Sequence, residues 1–431
     1  MPHHSAAQRR RLEALDRAGL ADHQLSRLND LLTTILPDNR FYAEKLATAP
    51  HHLEHLDQLR ELPLTTKEDL LADDAALHWP ANLTWSVDQY VHYHQTSGTR
   101  GRPLSVCDTA ADWQWWVDSW QYVLDAAEMT STDRALLAFS FGPFIGFWSA
   151  HDALVERGTM AIPGGGMNTL ARLDLIKRTG TTALFCTPTY AMHLVEVAEE
   201  HSINLAHFDV RKIVVAGEPG GSVPATRQRI ETAWNARLTD HSGASEVGPW
   251  GYSDRQQRGL HILEAEFIPE FLSVATGEPA GEGELSHLIL TSLGRPGMPI
   301  LRYRTGDLVK PSWPNDDNNH DNERPNHFVL LEGGVLGRAD DMMIIRGVNI
   351  FPSSIEQILR SFPEVVEFRL TARKRGEMDE LVVEVEDRLQ DPSRIAEELQ
   401  LRLGLKVDVR LAPTMSLPRF EGKGKRFVDQ R

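Results

Sequence analysis

Short apolar runs alternate with amphipathic segments along the middle of this chain of 431 residues. The runs end at Gly or Pro, as buried strands commonly do. The segments 169–180 and 191–201 repeat apolar residues at helical spacing, which is typical of crossover helices. This alternation predicts an α/β fold built on mostly parallel sheets. The predicted strands are ALLAFSF (135–141), TMAIP (159–163), TALFCTP (182–188) and KIVVAG (212–217).

The two ends of the chain have other patterns. Leucines recur at roughly helical spacing over residues 8–35, which predicts a helical cap at the start. After a polar stretch at 311–327, interpreted as a surface loop, Pro352 opens a helix whose apolar residues share one face. We therefore expect a large N-terminal domain over 1–336 and a small, mobile α+β lid over 337–431. The further elements predicted for the small lid are the strands VVEFRL, ELVVEVE and KVDVRL and the helix RIAEELQLRL.

Composition narrows the classes of function. A formal net charge of −16 argues against nonspecific binding to nucleic acid or to an anionic membrane. The sequence has no apolar run of about 18 residues or more and no signal-peptide core near its start, so we expect a cytoplasmic protein. Cys107 and Cys186 stand far apart, which predicts two buried thiols rather than a disulfide or a cysteine zinc site.

The string QTSGTRGRP at 95–103 is the first candidate for chemistry. Gly98 and Gly101 allow a tight turn that brings backbone N–H groups close to an anion. Thr96, Ser97 and Thr99 add hydroxyl donors, and two arginines add positive charge. VHYHQ before it alternates like a strand, so the loop is expected at a strand end. It lacks the Gly-Lys-Ser/Thr ending of a Walker A loop, and a simple solvated turn is the alternative.

Five further segments follow in a fixed order. Glu246 is the one carboxylate in a small-residue turn, and Asp307 lies beside a predicted strand. The segments are VVAGEPGG (214–221), HSGASEVG (241–248), RYRTGDLV (302–309), GRADDMMIIRGVNIFPSSIE (337–356) and LPRFEGKGKR (417–426). Together with the 95–103 loop, this series resembles the acyl-adenylate-forming superfamily of acyl-CoA ligases, and most of all the phenylacetate-CoA ligase family. The likeness runs along nearly the whole chain.

The resemblance implies an ATP site. It assigns the 95–103 loop to the triphosphate, Glu246 to catalysis as a Mg²⁺ ligand, and Asp307 to the two ribose hydroxyls. A loop glutamate and a turn aspartate are the structural alternatives for these two carboxylates. Arg338 is expected near the ribose and phosphate. The other nucleotide-binding candidates are Gly217, Glu218, Pro219 and Ser245.

The resemblance also assigns roles in the small domain. Lys423 follows Pro-Arg-x-x-Gly and matches the catalytic lysine that bridges the acid and the α-phosphate. Lys425 lies two residues away, and a merely basic tail is the alternative. Asp340 matches the hinge between the domains. Gly347 would line the thiol tunnel, although an ordinary turn glycine fits the sequence equally well.

The acid pocket is expected around FSFGPFIGFW (139–148), where Phe141, Phe144 and Trp148 are candidate walls for a flat aryl acid. An aromatic cluster of this kind also fits ordinary core. His241 and Gly243 are the other pocket candidates. The chain departs from the family in having Ser242 where an aromatic residue normally covers the adenine, and His241 or Tyr252 is a candidate replacement. The segment 249–262 retains only His261 of a metal site that some relatives carry, so no structural zinc is expected.

The resemblance leads to a specific hypothesis: an ATP-dependent aryl-acid:CoA ligase that forms AMP and pyrophosphate and uses ATP, Mg²⁺, CoA and a small aromatic acid. A homodimer is the assembly we expect. Adenylation with another acceptor, such as an amine, nitrite, a cofactor hydroxyl or a carrier-protein thiol, is the second hypothesis. A catalytically idle nucleotide-binding relative is the third, and the intact Glu246, Asp307 and Lys423 argue against it.

Overall fold

The computed structural model describes residues 4–71, 79–96, 103–139, 142–314, 326–341, 343–345, 348–375, 378–418 and 426–431. The segments predicted as the triphosphate loop and the lysine loop therefore lie mainly outside the described residues.

Several helices follow a residue whose side chain accepts a backbone N–H of the first turn. Asp16 accepts from the N–H of Gly19, and Thr109 forms a reciprocal capping box with Asp112. The predicted helical region over 8–35 consists of two helices, because Asp16 starts a new helix after a short break. The helices are α1 (Ala6–Glu13), α2 (Arg17–Ile35), α3 (Arg40–Lys45), α4 (Lys67–Leu70), α5 (Ala110–Ala126), α6 (Ile145–Glu156), α7 (Thr169–Thr179), α8 (Pro188–Glu200), α9 (Pro224–Trp234), α10 (Pro352–Arg360) and α11 (Pro392–Leu403).

Strands occupy each of the short apolar runs that predicted them. The strands are β1 (His92–Gln95), β2 (Ser105–Asp108), β3 (Arg134–Leu137), β4 (Met160–Pro163), β5 (Ala183–Cys186), β6 (Lys212–Val215), β7 (Arg237–Ala244), β8 (Gly248–Tyr252), β9 (Gly259–Ile262), β10 (Phe267–Ser273), β11 (Ser286–Ser292), β12 (Tyr303–Val309), β13 (Pro311–Ser312), β14 (Leu330–Glu332), β15 (Gly337–Arg338), β16 (Met343–Ile345), β17 (Val348–Ile350), β18 (Val365–Arg375), β19 (Met378–Asp387), β20 (Asp408–Leu411) and β21 (Phe427–Asp429).

The central sheet has the order β13-β14-β9-β8-β7-β6-β5-β3-β4 within the described residues. Strands β3 to β7 are parallel and are connected by α6, α7, α8 and α9, as the alternating pattern predicts. The remaining strands pair antiparallel, and β1 and β2 form a separate antiparallel hairpin. The carboxyl ends of β5, β6 and β7 therefore meet at one edge, where ligands of such sheets usually bind.

A second sheet, β10-β11-β12-β15, is antiparallel. Helix α5 carries four tryptophans and contacts both sheets: it packs on β8, and the rings of Trp115 and Phe267 lie 5.4 Å apart. These side chains belong to the largest buried apolar cluster, which also contains residues of β3, β5, β11 and β12. The two sheets are thus fixed to each other by a shared core.

The C-terminal part has a sheet of its own, ordered β20-β19-β18-β21. Its core includes Ile355, Ile358 and Leu359 of α10, the face that the sequence predicts. Helix α11 adds Ile395 and Leu399. The α+β character of this part agrees with the prediction, while the boundary at 336/337 stays a prediction. No helix in the described part of the chain combines the length and the apolarity needed to cross a bilayer.

The two cysteines are buried, which confirms their predicted environment.

Close to Cys107 lies an ion pair with no exposure to solvent. Arg295 Nε donates to Asp108 Oδ1 at 2.6 Å, and both side chains are 0% exposed. The same carboxylate oxygen accepts from Trp116 Nε1 at 3.2 Å. The pair joins the end of β2 to α5 and to the loop after β11.

Replacing Arg295 by Met should destabilise the protein by about 3–5 kcal/mol, because the Asp108 carboxylate would remain buried without its counter-charge. Urea unfolding measures this loss of unfolding free energy. The control is Arg178→Met, which breaks an exposed pair with Asp174 on α7 and should change stability by about 0.5 kcal/mol or less. Equal stability of the two variants would contradict this role for Arg295.

Candidate active site

Three turns at the carboxyl edge of the central sheet bring together predicted residues that are distant in sequence. Gly217, Glu218 and Pro219 follow β6, and Ser245 and Glu246 follow β7. The neighbouring strand β5 leads into α8. The sequence predicted a turn over 241–248, but β7 continues to Ala244 and the turn is confined to 245–247.

Glu246 is held from two sides. Tyr303 Oη, at the start of β12, donates to Glu246 Oε1 at 2.9 Å, and Arg295 Nη1 donates to the backbone oxygen of Glu246 at 3.0 Å. Burial, reinforced by the neighbouring Glu246 charge, raises the pKa of Tyr303, so the phenol remains a donor. The carboxylate is thereby oriented by a neutral hydrogen bond rather than neutralised by a cation.

The donor set suits Mg²⁺. Oε2 of Glu246 makes no hydrogen bond or ion pair within the described residues, which leaves a carboxylate oxygen for a ligand. The described parts of the chain contain no cluster of three His, Cys, Asp or Glu residues able to hold a metal. Mg²⁺ commonly takes only one or two protein carboxylates and completes its shell with phosphate oxygens and water. Glu246 fits that kind of site.

Asp307 and Arg338 are paired across two strands. They are direct partners in the register of β12 and β15, and Arg338 Nη1 lies 3.0 Å from Asp307 Oδ1. Gly306 has φ of +79°, and a side chain there would meet the guanidinium of Arg338 at 2.7 Å. Because Tyr303 starts the same strand, β12 connects the Glu246 contact to the Asp307–Arg338 pair.

Only the neck of the predicted triphosphate loop is described. Thr96 N–H donates to the backbone oxygen of Leu104, and Leu104 N–H donates to Thr96 Oγ1, both at 2.9 Å. These bonds join the two ends of the loop. Ser97, Gly98, Thr99 and Gly101 lie outside the described residues. Gln95 N–H donates to the backbone oxygen of Pro143 at 2.7 Å, which brings the neck beside the aromatic segment.

Glu218 has a partner that the sequence did not indicate. Its Oε1 accepts the N–H of Thr189 at 2.8 Å, in the first turn of α8. A carboxylate at this position satisfies an otherwise unpaired helix donor. Gly217, just before it, has φ of +93°, which favours glycine over any other residue. The Glu218 side chain therefore connects the turn after β6 to α8.

Two aromatic side chains of the 139–148 segment lie outside the core, while Ile145 packs in it and Phe139 packs against it. Phe144 and Trp148 are 43% and 36% exposed, although both belong to or adjoin the first turn of α6. Trp148 Nε1 donates to the backbone oxygen of Gly142 at 3.1 Å. Phe141 lies outside the described residues. Two large apolar side chains are thus presented to solvent close to the neck at Thr96.

His241 is buried next to this segment. Its ring packs on Trp120 at 4.2 Å, and Trp120 Nε1 donates to Ser149 Oγ of α6. His241 Nδ1 lies 2.7 Å from the backbone oxygen of Gly251, a contact that requires Nδ1 to carry the proton and leaves Nε2 as an acceptor. Gly243 is exposed and lies beside the His241 ring.

Tyr252 is buried, and its hydroxyl donates to Glu13 inside the core. Its ring therefore cannot cover an adenine.

The remaining predicted residues are dispersed. Asp340 lies in a short 3₁₀ turn after β15, with Oδ2 at 3.7 Å from Arg338 Nη2. Gly347, Lys423 and Lys425 lie outside the described residues. His261 uses both ring nitrogens, toward the backbone oxygen of Phe328 and toward Asp254.

Sequence reasoning missed Tyr303 and Arg295. Tyr303 stands inside the quoted RYRTGDLV segment, but its partner Glu246 is 57 positions earlier. Arg295 lies in a Gly/Pro-rich turn that gave no chemical signal. A charged residue surrounded by apolar and turn residues was the available sign of a buried ion pair.

Comparison with known proteins gives two family matches. The model of "AMP-binding enzyme" matches residues 36–263, and that of "AMP-binding enzyme C-terminal domain" matches residues 347–431. A phenylacetate-coenzyme A ligase of Thermus thermophilus is 30% identical over 97% of this chain and 98% of its own length. A phenylacetate-coenzyme A ligase of Escherichia coli is 31% identical, over 89% of this chain and 87% of its own length.

Among solved structures, 2-hydroxyisobutyryl-CoA ligase in its postadenylation state aligns with a TM-score of 0.90 at 26% identity. That alignment covers 100% of this chain and 94% of the other. The same ligase in its thioesterification state, with CoA, aligns with a TM-score of 0.73 over the same shares of both chains. The arrangement of the two parts of this chain is therefore closer to the postadenylation structure.

His241→Asn should make stability less dependent on pH. Burial lowers the pKa of His241 to about 4, so the folded protein keeps a neutral ring where the unfolded chain binds a proton. The stabilising effect is complete above about pH 6.5 and is lost as the pH falls towards 4, by about 3 kcal/mol in total. Asn retains a donor for Gly251 but does not titrate.

Urea unfolding at pH 7.5 and pH 4 tests this expectation. Wild type should lose about 3 kcal/mol more than His241→Asn between these pH values. The control His201→Asn alters an exposed histidine at the end of α8 and should follow wild type. Parallel curves for wild type and His241→Asn would show that the buried ring does not carry this dependence.

Proposed function

This chain belongs to the AMP-binding enzyme family, and from that premise we propose that it activates a small aromatic carboxylate with ATP and transfers the acyl group to coenzyme A. The observation that carries the proposal is that β12 links an oriented carboxylate, Glu246, bonded by Tyr303 at the start of the strand, to the Asp307–Arg338 pair. Exposed aromatic side chains lie near the neck of the predicted phosphate loop.

The general activity follows from relatives that match nearly the whole chain. Phenylacetate-coenzyme A ligases align over most of their own length, and a CoA ligase structure aligns over the full length of this chain. The chain is accordingly an AMP-forming acid–CoA ligase that uses ATP and CoA. The identity of the acid is the proposed part.

The chemistry has two steps. An oxygen of the acid attacks the α-phosphorus of ATP, the bond to the bridging oxygen of pyrophosphate breaks, and an acyl-adenylate forms. The sulfur of CoA then attacks the acyl carbon, its proton is released, and AMP leaves. The first step builds negative charge on phosphate oxygens, so donors and positive charges around them lower its barrier.

We assign the nucleotide to the carboxyl edge of β6 and β7. Asp307 would accept hydrogen bonds from the ribose hydroxyls while Arg338 Nη1 stays paired with its Oδ1 at 3.0 Å. Gly217, Pro219 and Ser245 would lie along the nucleotide, and Glu218 would fix the turn through Thr189. The triphosphate would lie on the loop that Thr96 closes.

Glu246 is the proposed protein ligand of Mg²⁺, through the oxygen that Tyr303 does not bond. A bound Mg²⁺ would supply positive charge for the phosphate oxygens. The contribution of this chain is orientation, because Tyr303 and Arg295 fix the carboxylate and its backbone.

The acid would lie between the 142–148 segment and β7. Phe144 and Trp148 offer flat apolar surfaces, and Gly243 leaves room beside His241. Phe141 completes the proposed pocket by its position in the sequence. Aromatic acids fit such a slot because stacking and apolar burial act over the whole ring.

Lys423 is the proposed cation for the adenylation step, Asp340 the proposed hinge and Gly347 the proposed tunnel residue. Their roles depend on rotation of the small domain, which would withdraw the lysine and admit the thiol. A homodimer is the proposed assembly.

Glu246→Gln should reduce acid-dependent pyrophosphate release at least tenfold, because the amide lacks the charge that a Mg²⁺–phosphate site requires. Initial rates at saturating acid and varied Mg²⁺·ATP measure the change. Glu278→Gln, on an exposed turn, is the charge-matched control and should retain wild-type rates. Unchanged dependence on Mg²⁺·ATP in Glu246→Gln would remove this residue from the site.

The acid specificity should favour benzoate or phenylacetate over acetate by about a thousandfold in kcat/KM, since each buried CH₂-sized group contributes about 0.8 kcal/mol. Phe144→Ala should weaken the small aryl acids about tenfold and admit bulkier ones. Val155→Ala is the control, because Val155 is an exposed apolar residue on the same helix.

Thioester formation with each acid and CoA measures this specificity, with 2-hydroxyisobutyrate included in the panel. Acetate or 2-hydroxyisobutyrate used as well as the aryl acids would overturn the aromatic assignment. An unaltered acid profile in Phe144→Ala would remove that side chain from the pocket.

A further inference from the structure

A buried arginine connects the C-terminal sheet to helix α8. Arg426 stands immediately before β21, and its side chain is 7% exposed. Nε and Nη2 donate to the two carboxylate oxygens of Glu367 at 2.6 and 3.0 Å, and Nη1 donates to Thr189 Oγ1 at 3.3 Å. A planar guanidinium held in this bidentate manner has a fixed orientation. Arg426 therefore presents Nη1 to the large domain in a set direction.

Thr189 makes one hydrogen bond to the C-terminal part and one to the turn after β6. Its hydroxyl accepts from Arg426, while its backbone N–H donates to Glu218 Oε1 at 2.8 Å. Glu218 belongs to the turn after β6 that we assign to the nucleotide. A continuous chain of hydrogen bonds thus runs from the C-terminal sheet, through the start of α8, to the proposed nucleotide site.

Charges of both signs meet across this contact. Glu356 Oε1 of α10 lies 4.0 Å from Arg426 Nη1 and 3.7 Å from Arg360 Nε. The negative charge of Glu218, in the large domain, also acts on Arg426 and helps to raise its pKa. Three carboxylates therefore surround two arginines, and rotating the small domain away would separate Glu218 from the cations that offset its charge.

The far end of α8 makes a second contact with the C-terminal part. Arg388 Nη2 lies 3.0 Å from Glu199 Oε2, with both side chains about half exposed. An exposed pair of this kind contributes little stability by itself. It nevertheless shows that α8 meets the small domain near both of its ends.

We propose that Thr189 and Arg426 are positioning residues that hold the small domain in the orientation described here, which resembles the postadenylation structure more than the thioesterification structure. The inference rests on the proposed function, because that orientation is the one in which Lys423 would act. Arg426 lies three positions after Lys423, and its backbone oxygen accepts from Leu370 N–H at 2.8 Å. The chain that leads to the lysine is thereby attached at a fixed point.

Thr189→Val tests the proposal most cleanly, since it removes the acceptor hydroxyl and keeps the volume and the N–H bond to Glu218. Acid-dependent pyrophosphate release should fall about tenfold, as expected for losing a hydrogen bond to a charged group. Conversion of supplied acyl-adenylate and CoA to thioester should stay unchanged. Thr189→Ser should restore pyrophosphate release. The control Thr179→Val alters a threonine whose hydroxyl bonds within α7 and should affect neither step.

Hydrogen exchange gives a readout that needs no activity. Thr189→Val should speed amide exchange at 426–431 and leave α7 unchanged, because the strand loses its anchor to α8. Equal loss of both half-reactions, no loss of pyrophosphate release, or unaltered exchange at 426–431 would each overturn the proposal. Wild type that releases no pyrophosphate with any acid would instead contradict the proposed function, and the exchange result would then decide the positioning role alone.

Discussion

The buried guanidinium of Arg295 is the interaction on which the arrangement of the site most depends. It neutralises Asp108 at the end of β2 and donates to the backbone of Glu246 in the turn after β7. The hairpin that carries the predicted phosphate loop and the turn that carries the predicted metal ligand are therefore fixed to one cation. A buried charge tolerates little displacement from its partners, because leaving either one unpaired costs several kcal/mol. Stability and orientation of the site thus depend on the same group.

Tyr303 extends this arrangement to the second sheet. Its hydroxyl reaches Glu246, and the strand that it starts continues to Asp307, the register partner of Arg338. Residues from two sheets, with β15 of the second sheet standing at the start of the proposed small domain, consequently converge at one edge. The exposed positions of Phe144 and Trp148 extend the site toward a place where an aryl acid could lie.

Much of the fold could be predicted from local patterns. The four short apolar runs each contain a strand of the parallel part of the sheet, and Pro352 starts a helix with the expected buried face. The helical region predicted over 8–35 is divided after Glu13, because Asp16 starts a second helix within the leucine pattern. The extension of β7 through Ala244 was missed because pairing with β8 overrides the turn tendency of Ser and Gly.

The site was predictable where a motif is contiguous and unpredictable where partners are distant. Glu246 and Asp307 stand inside recognisable segments. The contacts of Arg295 with Asp108, Tyr303 with Glu246, and Arg426 with Thr189 join residues 57 to 237 positions apart. The hydrogen bond between Glu218 and the first turn of α8 likewise depends on β5 and β6 lying side by side. No local sequence pattern shows that the two strands are neighbours.

The central step of the proposed reaction is the formation of an acyl-adenylate by attack of the acid on the α-phosphorus of ATP. Benzoate labelled with ¹⁸O in both carboxyl oxygens, converted with ATP and CoA, tests this directly by mass spectrometry of the products. One labelled oxygen should appear in AMP, one should remain in the thioester, and pyrophosphate should carry none. Label in pyrophosphate or inorganic phosphate, or thioester formed with unlabelled AMP, would contradict the account.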